Sequence, residues 1–490
     1  MVLKKREKQM QSMINRITDI LRRDDGISGA MHYTEQVSWI LFLKFLNDYE
    51  NEKSLEAELV GEDYVFVLEN KYRWNTWAAP KGADGKIDII NADSGDDLLE
   101  FVNKELFPYL KSFKSIDEDA KSLKYKIGAI FEYLDNRIAS GHTLRDVINE
   151  IDELNFNKKE DLYQLSQVYE NLLKSMGSDG GNSGEFYTPR PLVKAMVDVV
   201  NPHAGQTVYD PSAGTCGFLI DAYEHMYSKN LSTTQLKFLN EDTFFGKEKT
   251  PLSYVMGVMN MILHGITSPN ISKANTLVKD IRSLEEKERY DVVLANPPFG
   301  GKEKSTIQTN FPIKSNATEL LFLQHIYKSL KLGGKYAVVV PEGVLFQTNN
   351  AFKSVKKELL ENYNIHTIVS LPAGVFLPYS GVKTNVVFFD REGATTDIFY
   401  YEINPPFKLT KNKPIQFEHF ADFLDIWQSR KLTDNSWLVN VADIKDYDIS
   451  AKNPNKLDAI IHKSPVELVN EIKQNTAEIN KLVDEIEEII

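Results

Sequence analysis

The chain has one cysteine in 490 residues, Cys216. An internal disulfide is therefore excluded, and a reducing compartment is implied. A basic excess is also missing: 57 Lys and Arg stand against 70 Asp and Glu, a formal charge of −13. A protein that grips nucleic acid unaided carries a basic footprint, because phosphate neutralisation supplies most of the non-specific affinity. This chain either leaves nucleic acid alone or shares the grip with a partner. No apolar run approaches membrane-spanning length. The N-terminus, Met1-Val-Leu-Lys-Lys-Arg-Glu-Lys8, has charge but no apolar stretch behind it, so it does not read as a signal peptide. A cytoplasmic location is expected.

What is present is ordinary for a globular protein. Apolar residues make up 42% and charged residues 26%, and the length accommodates two or three domains. Residues 1–160 read as a helical domain. Met13, Ile14, Ile17, Ile20 and Leu21 keep helical spacing up to Gly26, Val37–Leu46 is nearly all apolar, and helical patterns continue over Lys124–Ile138 and Thr143–Leu154. The aromatic cluster Tyr72-Arg-Trp-Asn-Thr-Trp77 is expected to serve packing. A helix over Asp161–Met176 leads into the glycine-rich Gly177–Gly184, expected to be mobile. Apolar strands then alternate with helical stretches: Thr207–Asp210, Thr243–Gly246, Asp291–Ala295, Lys335–Val340 and His366–Leu371, with Val386–Asp390 closing a hairpin. That alternation predicts an α/β fold with a doubly wound, mostly parallel sheet over 161–400, ending in an antiparallel pair. Residues 401–463 are mixed. Ser464, Pro465 and Glu467 then form a capping-box pattern, and Leu468 to Ile489 keep a/d spacing, the pattern of a C-terminal assembly helix over 464–490.

Asn296-Pro-Pro-Phe299 reads either as ordinary turn chemistry after a strand or as a grip for a planar amine. It follows the apolar run Asp291–Ala295, at the carboxyl edge of a strand, where open α/β sheets bind ligands. Pro297 and Pro298 fix φ and have no N–H. The Asn296 side-chain oxygen and the Pro297 carbonyl can each accept one N–H of a planar amine, while Phe299 stacks on the ring that bears it. An exocyclic amine on adenine is a poor nucleophile because its lone pair is delocalised. Two acceptors on its hydrogens favour the pyramidal geometry of methyl transfer, so they bind the transition state better than the ground state.

Asp210-Pro-Ser-Ala-Gly-Thr-Cys-Gly-Phe218 follows another strand and opens a helix, with small residues that admit a ligand close to the backbone. It has neither the Gly-Lys-Ser/Thr of a Walker A loop nor a true Gly-x-Gly-x-x-Gly. Glu248, at the end of the next strand, stands where a ribose-binding acid is expected. Cys216 reads as a small residue filling a tight turn.

Strand, glycine-rich turn, acid and Asn-Pro-Pro-Phe in that order resemble the amino-methyltransferases that use S-adenosylmethionine (SAM). Glu185-Phe-Tyr-Thr-Pro-Arg190, just before the first strand, is similar to the signature of the modification (M) subunit of Type I restriction–modification systems, which are N6-adenine DNA methyltransferases. Tyr72–Ala78, Asn136-Arg-Ile138 with Thr143-Leu-Arg145, and Leu371-Pro-Ala-Gly-Val-Phe376 with Thr384-Asn385 extend the likeness over about residues 8–400. The resemblance implies SAM contacts at Glu185, Phe186, Tyr187, Thr188, Pro189, Arg190, Ser212, Ala213, Gly214 and Glu248, with Asp210 ordering the loop and Asn275, Thr276 and Asp280 nearer the cofactor's adenine. It implies catalytic roles for Asn296, Pro297, Pro298 and Phe299, and no metal.

The same resemblance accounts for the acidity. In that family a specificity (S) subunit reads the DNA, M subunits work in pairs, and a restriction (R) subunit joins. Lys302, Lys304 and Lys314, in the loop after Phe299, are candidates to steer phosphates. Two other readings use the same residues: a protein glutamine methyltransferase, which carries Tyr after the prolines, and a non-catalytic SAM-binding assembly subunit.

Overall fold

The computed structural model describes residues 2–82, 87–88, 92–115, 118–154, 188–227, 230–266 and 268–455, with Lys473, Asn475, Thr476 and Ile479 beyond them and backbone alone for 2–11. The helix expected over Asp161–Met176, the glycine-rich Gly177–Gly184, Glu185 to Tyr187 and the capping box at Ser464 lie outside the described residues.

The N-terminal half is helical, built on α1 (Val2–Leu21), α2 (Ala30–Val60), α3 (Leu123–Phe131) and α4 (Gly141–Asp152). Every residue of Val37–Leu46 in α2 is buried, as a helix apolar on all sides requires. The expected helix over 124–138 stops at Phe131. Beyond it, side chains capture the backbone groups that a further turn would use. Gln36 Nε2 donates to the Asp135 carbonyl (3.1 Å) and its Oε1 accepts from Arg137 N–H (3.1 Å), while Asp24 accepts from Ala139 (2.8 Å) and Ser140 (3.0 Å). A Cβ on Gly26 would lie 1.8 Å from the Arg137 carbonyl oxygen, so only glycine fits there. Trp74 and Trp77 are buried and Tyr72 stacks on Tyr109 at 3.8 Å, so the aromatic cluster does pack the domain.

The second half is a nine-stranded sheet. Its elements in chain order are α5 (Arg190–Val200), β1 (Val208–Asp210), α6 (Gly217–Met226), β2 (Phe244–Glu248), α7 (Pro251–Leu263), β3 (Asn270–Lys273), β4 (Tyr290–Ala295), α8 (Thr318–Lys328), β5 (Leu330–Pro341), α9 (Asn350–Asn362), β6 (Asn364–Ser370), β7 (Thr384–Asp390), β8 (Asp397–Glu402) and β9 (Ser436–Asn440). The strand order is β3-β2-β1-β4-β5-β7-β6-β8-β9. Neighbouring strands from β3 to β5 pair parallel, and β7 runs antiparallel to both β5 and β6. The hairpin of β6 and β7 is thus present, but the sheet does not close there. β8 adds parallel to β6 and β9 antiparallel to β8.

Each sheet face carries its own apolar layer. One is continuous with the N-terminal helices and α5–α7, and the other is covered by α8 and α9. α7 joins the halves: Ser253 to Leu263 are all buried, and Tyr254 meets Tyr133 edge-on at 6.0 Å. Among the described residues no helix is long and apolar enough to cross a membrane.

Candidate active site

The strand order reverses between β1 and β4, and in an open α/β sheet such a switch point leaves a crevice at the strands' carboxyl ends. A cavity of about 420 Å³ occupies it, lined among others by Thr188, Arg190, Asp210, Ser212, Ala213, Gly214, Glu248, Asn296, Pro298 and Phe299. That volume suits a small-molecule ligand, for which roughly 300–1,000 Å³ is usual. Asn275 and Thr276 also line it. Asp280 does not; it caps the next turn and pairs with Arg282. Pro189 and Pro297 flank lining residues without being part of the wall. Glu185, Phe186 and Tyr187 belong to the undescribed residues.

The loop after β1 is held from four sides. Asp210 Oδ1 accepts from Ser212 N–H (2.9 Å). Glu248, at the end of β2, accepts from Gly214 N–H (2.9 Å) through one carboxylate oxygen and from Thr250 N–H (2.7 Å) through the other. Asn260 on α7 donates to the Thr215 carbonyl (3.0 Å), and Arg190 Nη1 donates to the Gly217 carbonyl (2.6 Å) and Asp221 (2.8 Å). The Arg190 guanidinium therefore clamps the start of α6 from the cavity wall. Cys216, fully buried, takes φ +63° at the N-cap of α6, the tight-turn role its size suggests.

The loop can lie this close to α7 only because residue 257 is glycine. A Cβ there would stand 2.7 Å from the Gly214 carbonyl oxygen and 2.8 Å from Cys216 Sγ. Gly257→Ala is expected to push the loop outward at an overpacking cost of about 1–3 kcal/mol. Calorimetric SAM affinity should fall about tenfold while far-UV circular dichroism stays unchanged. Unchanged affinity would mean that the loop's position does not control the cavity.

Two buried carboxylates share the cavity wall. Burial raises Asp210 to about 7, opposed by the Ser212 N–H and reinforced by the charge of Glu248. Burial also raises Glu248, against the N–H groups of Thr250 and Gly214. Such a pair favours a positively charged ligand.

Asn296 directly follows β4. Its Nδ2 donates to Thr188 Oγ1 at 3.0 Å, and its Oδ1 is buried without a partner among the described residues. A buried acceptor left unsatisfied costs about 1–3 kcal/mol, which an incoming N–H donor removes. Gly300 (φ +85°) and Gly301 (φ +101°) turn the chain sharply after Phe299. The Phe299 ring meets Phe376 edge-on, with centroids 5.1 Å apart at 81°. Phe376 closes the motif Leu371-Pro-Ala-Gly-Val-Phe376, to which the sequence alone assigns no role. The signal available was a second aromatic-ended Pro/Gly motif, but only the packing of the β6–β7 loop beside β4 brings the rings together. Lys302, Lys304 and Lys314 are exposed, and Lys302 lies on the cavity wall.

The family model described as N-6 DNA Methylase matches residues 159–462, and that of the HsdM N-terminal domain matches residues 10–168. The chain is 37% identical to the EcoEI Type I restriction enzyme methylase subunit of Escherichia coli, over 98% of this chain and 97% of that protein. Among solved structures it resembles a modification subunit of a putative type I restriction enzyme from Vibrio vulnificus YJ016, with TM-score 0.84, 37% identity, and 93% of this chain and 99% of that one covered. It also resembles a chain from a structure concerned with assembly and conformational transition of the type I R-M system, with TM-score 0.78, 42% identity, and 99% and 98% covered.

Proposed function

Since the chain belongs to the N-6 DNA methylase family, as a modification subunit of a Type I restriction–modification system, we propose that Asn296, Pro297, Pro298 and Phe299 hold the target adenine and that the wall from Thr188 to Glu248 holds SAM. The protein methylates the N6 amino group of adenine in DNA. The observation that carries the site reading is the unsatisfied Asn296 Oδ1 on the wall of the cofactor cavity.

SAM supplies the methyl group. Asn296 Oδ1 and the Pro297 carbonyl each accept one N–H of the adenine amine, which draws the nitrogen lone pair out of conjugation and toward the donor. Phe299, with Phe376 at its edge, offers an apolar face for a base swung out of the duplex, an extrusion that enzymes acting on bases require. Glu248, at the end of β2 and on the cavity wall, is the acid for the ribose hydroxyls, and Ser212, Ala213 and Gly214 leave room for the ligand along the loop. Arg190 and Pro189 fix the start of α5, and Glu185, Phe186 and Tyr187 are assigned to the same cofactor face from their motif alone.

The chain works with DNA and a specificity subunit. We assign the helical residues 1–160 and the a/d pattern of 464–490 to assembly, with 161–400 as the methyltransferase domain and 401–463 as its extension. A second M subunit and a restriction subunit complete the complex, in the cytoplasm. Delegated DNA reading is consistent with the acidic composition.

Mixing the M–S complex with methyl-labelled SAM and unmethylated DNA is the direct test. Digestion of the DNA should yield labelled N6-methyladenine. Label on protein glutamine, or no transfer at all, would remove the reading.

The carboxylate pair adds a pH dependence. Asp210 has a folded value near 7, above the ordinary 3.8. Its proton thus stabilises the free protein fully below about pH 4, and that contribution is lost as pH rises through about 7. Cationic SAM prefers the ionised pair. SAM affinity is therefore expected to rise from pH 6 to pH 8, with proton release at pH 6 visible as a buffer-dependent binding enthalpy. An affinity that is flat with pH, with no linked proton, would place the cofactor's positive charge away from Asp210.

A further inference from the structure

An amide side chain has one accepting and one donating end of nearly the same shape. Asn296 can serve an amine only with its oxygen toward the substrate, because the flipped amide sets donor against donor. The direction is therefore worth a large part of the methyl-transfer rate, and something in the protein has to set it. Thr188 is the contact that does so among the described residues: its Oγ1 takes the Asn296 Nδ2 hydrogen at 3.0 Å, leaving Oδ1 unpaired.

We propose that Thr188 is a positioning residue that locks the Asn296 amide in its catalytic orientation. The inference rests on the reading of Asn296 as the amine's acceptor. A hydroxyl alone can accept or donate, so it could tolerate either flip. Thr188 also lines the cofactor cavity, with Asp210 and Ser212 on the same wall. When a cofactor acceptor such as a carboxylate takes the Thr188 proton, its oxygen keeps only the accepting role, and Asn296 must present Nδ2 to it. The residue thereby couples an occupied cofactor cavity to a correctly aimed amide. It stands just before α5 (Arg190–Val200), whose first residue is anchored to Gly217 and Asp221, so its backbone has a fixed base.

The test uses the M–S complex with cognate DNA. In Thr188→Val, which keeps the shape and loses the hydroxyl, the single-turnover methyl-transfer rate at saturating SAM should fall about tenfold. SAM affinity by calorimetry should weaken about fivefold. Thr188→Ser should restore both to within about threefold. A Val variant with a normal rate at saturating SAM would overturn the proposal, because only cofactor binding would then depend on Thr188. A Ser variant as slow as Val would also overturn it, since packing by the methyl group would be the cause. If Val disturbs folding, Thr188→Ala carries the same comparison with Ser. Failure here is separable from failure of the underlying reading: an inactive Asn296→Ala with a normal Thr188→Val removes this inference alone, whereas an active Asn296→Ala removes the reading beneath it.

Discussion

Asn296→Ala is expected to lower methyl transfer to cognate DNA by about 10²–10³-fold, the usual loss when one preorganised polar group is removed from a charge-developing site. The alanine takes away the Oδ1 acceptor and leaves Thr188 Oγ1 without its donor, but it leaves Glu248 and the β1 loop intact. SAM affinity and thermal midpoint should therefore stay close to those of the unsubstituted protein. Asn296 stands just after β4, and among the described residues its side chain hydrogen-bonds Thr188 alone, so the fold has little to lose. The deficit belongs in the rate of the chemical step, which a rapid-quench experiment with preformed complex would show. Turnover within about threefold of normal would mean that the amine is gripped elsewhere.

Glu248→Ala should act on the opposite half of the site. Its two carboxylate oxygens satisfy the N–H groups of Gly214 and Thr250 at 2.9 and 2.7 Å. Removing it leaves two backbone donors without their acceptor, at about 1–3 kcal/mol each for a buried group, and deletes the proposed ribose acceptor as well. SAM binding is expected to weaken by roughly 10- to 150-fold, the equivalent of about 1.4–3 kcal/mol. The single-turnover rate at saturating SAM should be largely retained. Glu248→Gln should rescue only in part, because the amide keeps one accepting oxygen and turns an NH₂ toward the second backbone N–H. Calorimetry separates these outcomes. Equal SAM affinity in all three proteins would move the ribose contact to another residue.

The two substitutions divide the site along the sheet edge. Glu248 ends β2 and Asn296 directly follows β4, with β1 and its loop between them. The proposed cofactor half is held by polar contacts to backbone, which tolerate little change in position. The proposed substrate half holds one unsatisfied acceptor and an aromatic pair.

Much of this was set by the sequence alone. Strands β1, β2, β4, β5, β6 and β7 were legible because strands covered on both faces read as short apolar runs between turn signals. The place of Asn296 and Glu248 on the cavity wall was legible because each follows an apolar run, and a strand's carboxyl end is where open α/β sheets form their crevice. The all-buried stretch of α2 declared itself through continuous apolarity. Other features needed the tertiary structure. β3, with Asn, Ser and Lys around its one buried residue, Ile271, has no local pattern to recognise. β8 extends the sheet by pairing with β6, and β9 by pairing with β8, contacts that no local pattern announces. The end of α3 at Phe131 depends on Gln36 and Asp24, about a hundred residues away. The Phe299–Phe376 edge contact and the Thr188–Asn296 hydrogen bond likewise join residues 77 and 108 positions apart. Local pattern reports which side of an element is buried. Which distant side chain reaches a given polar atom is decided only when the packed elements leave room for one.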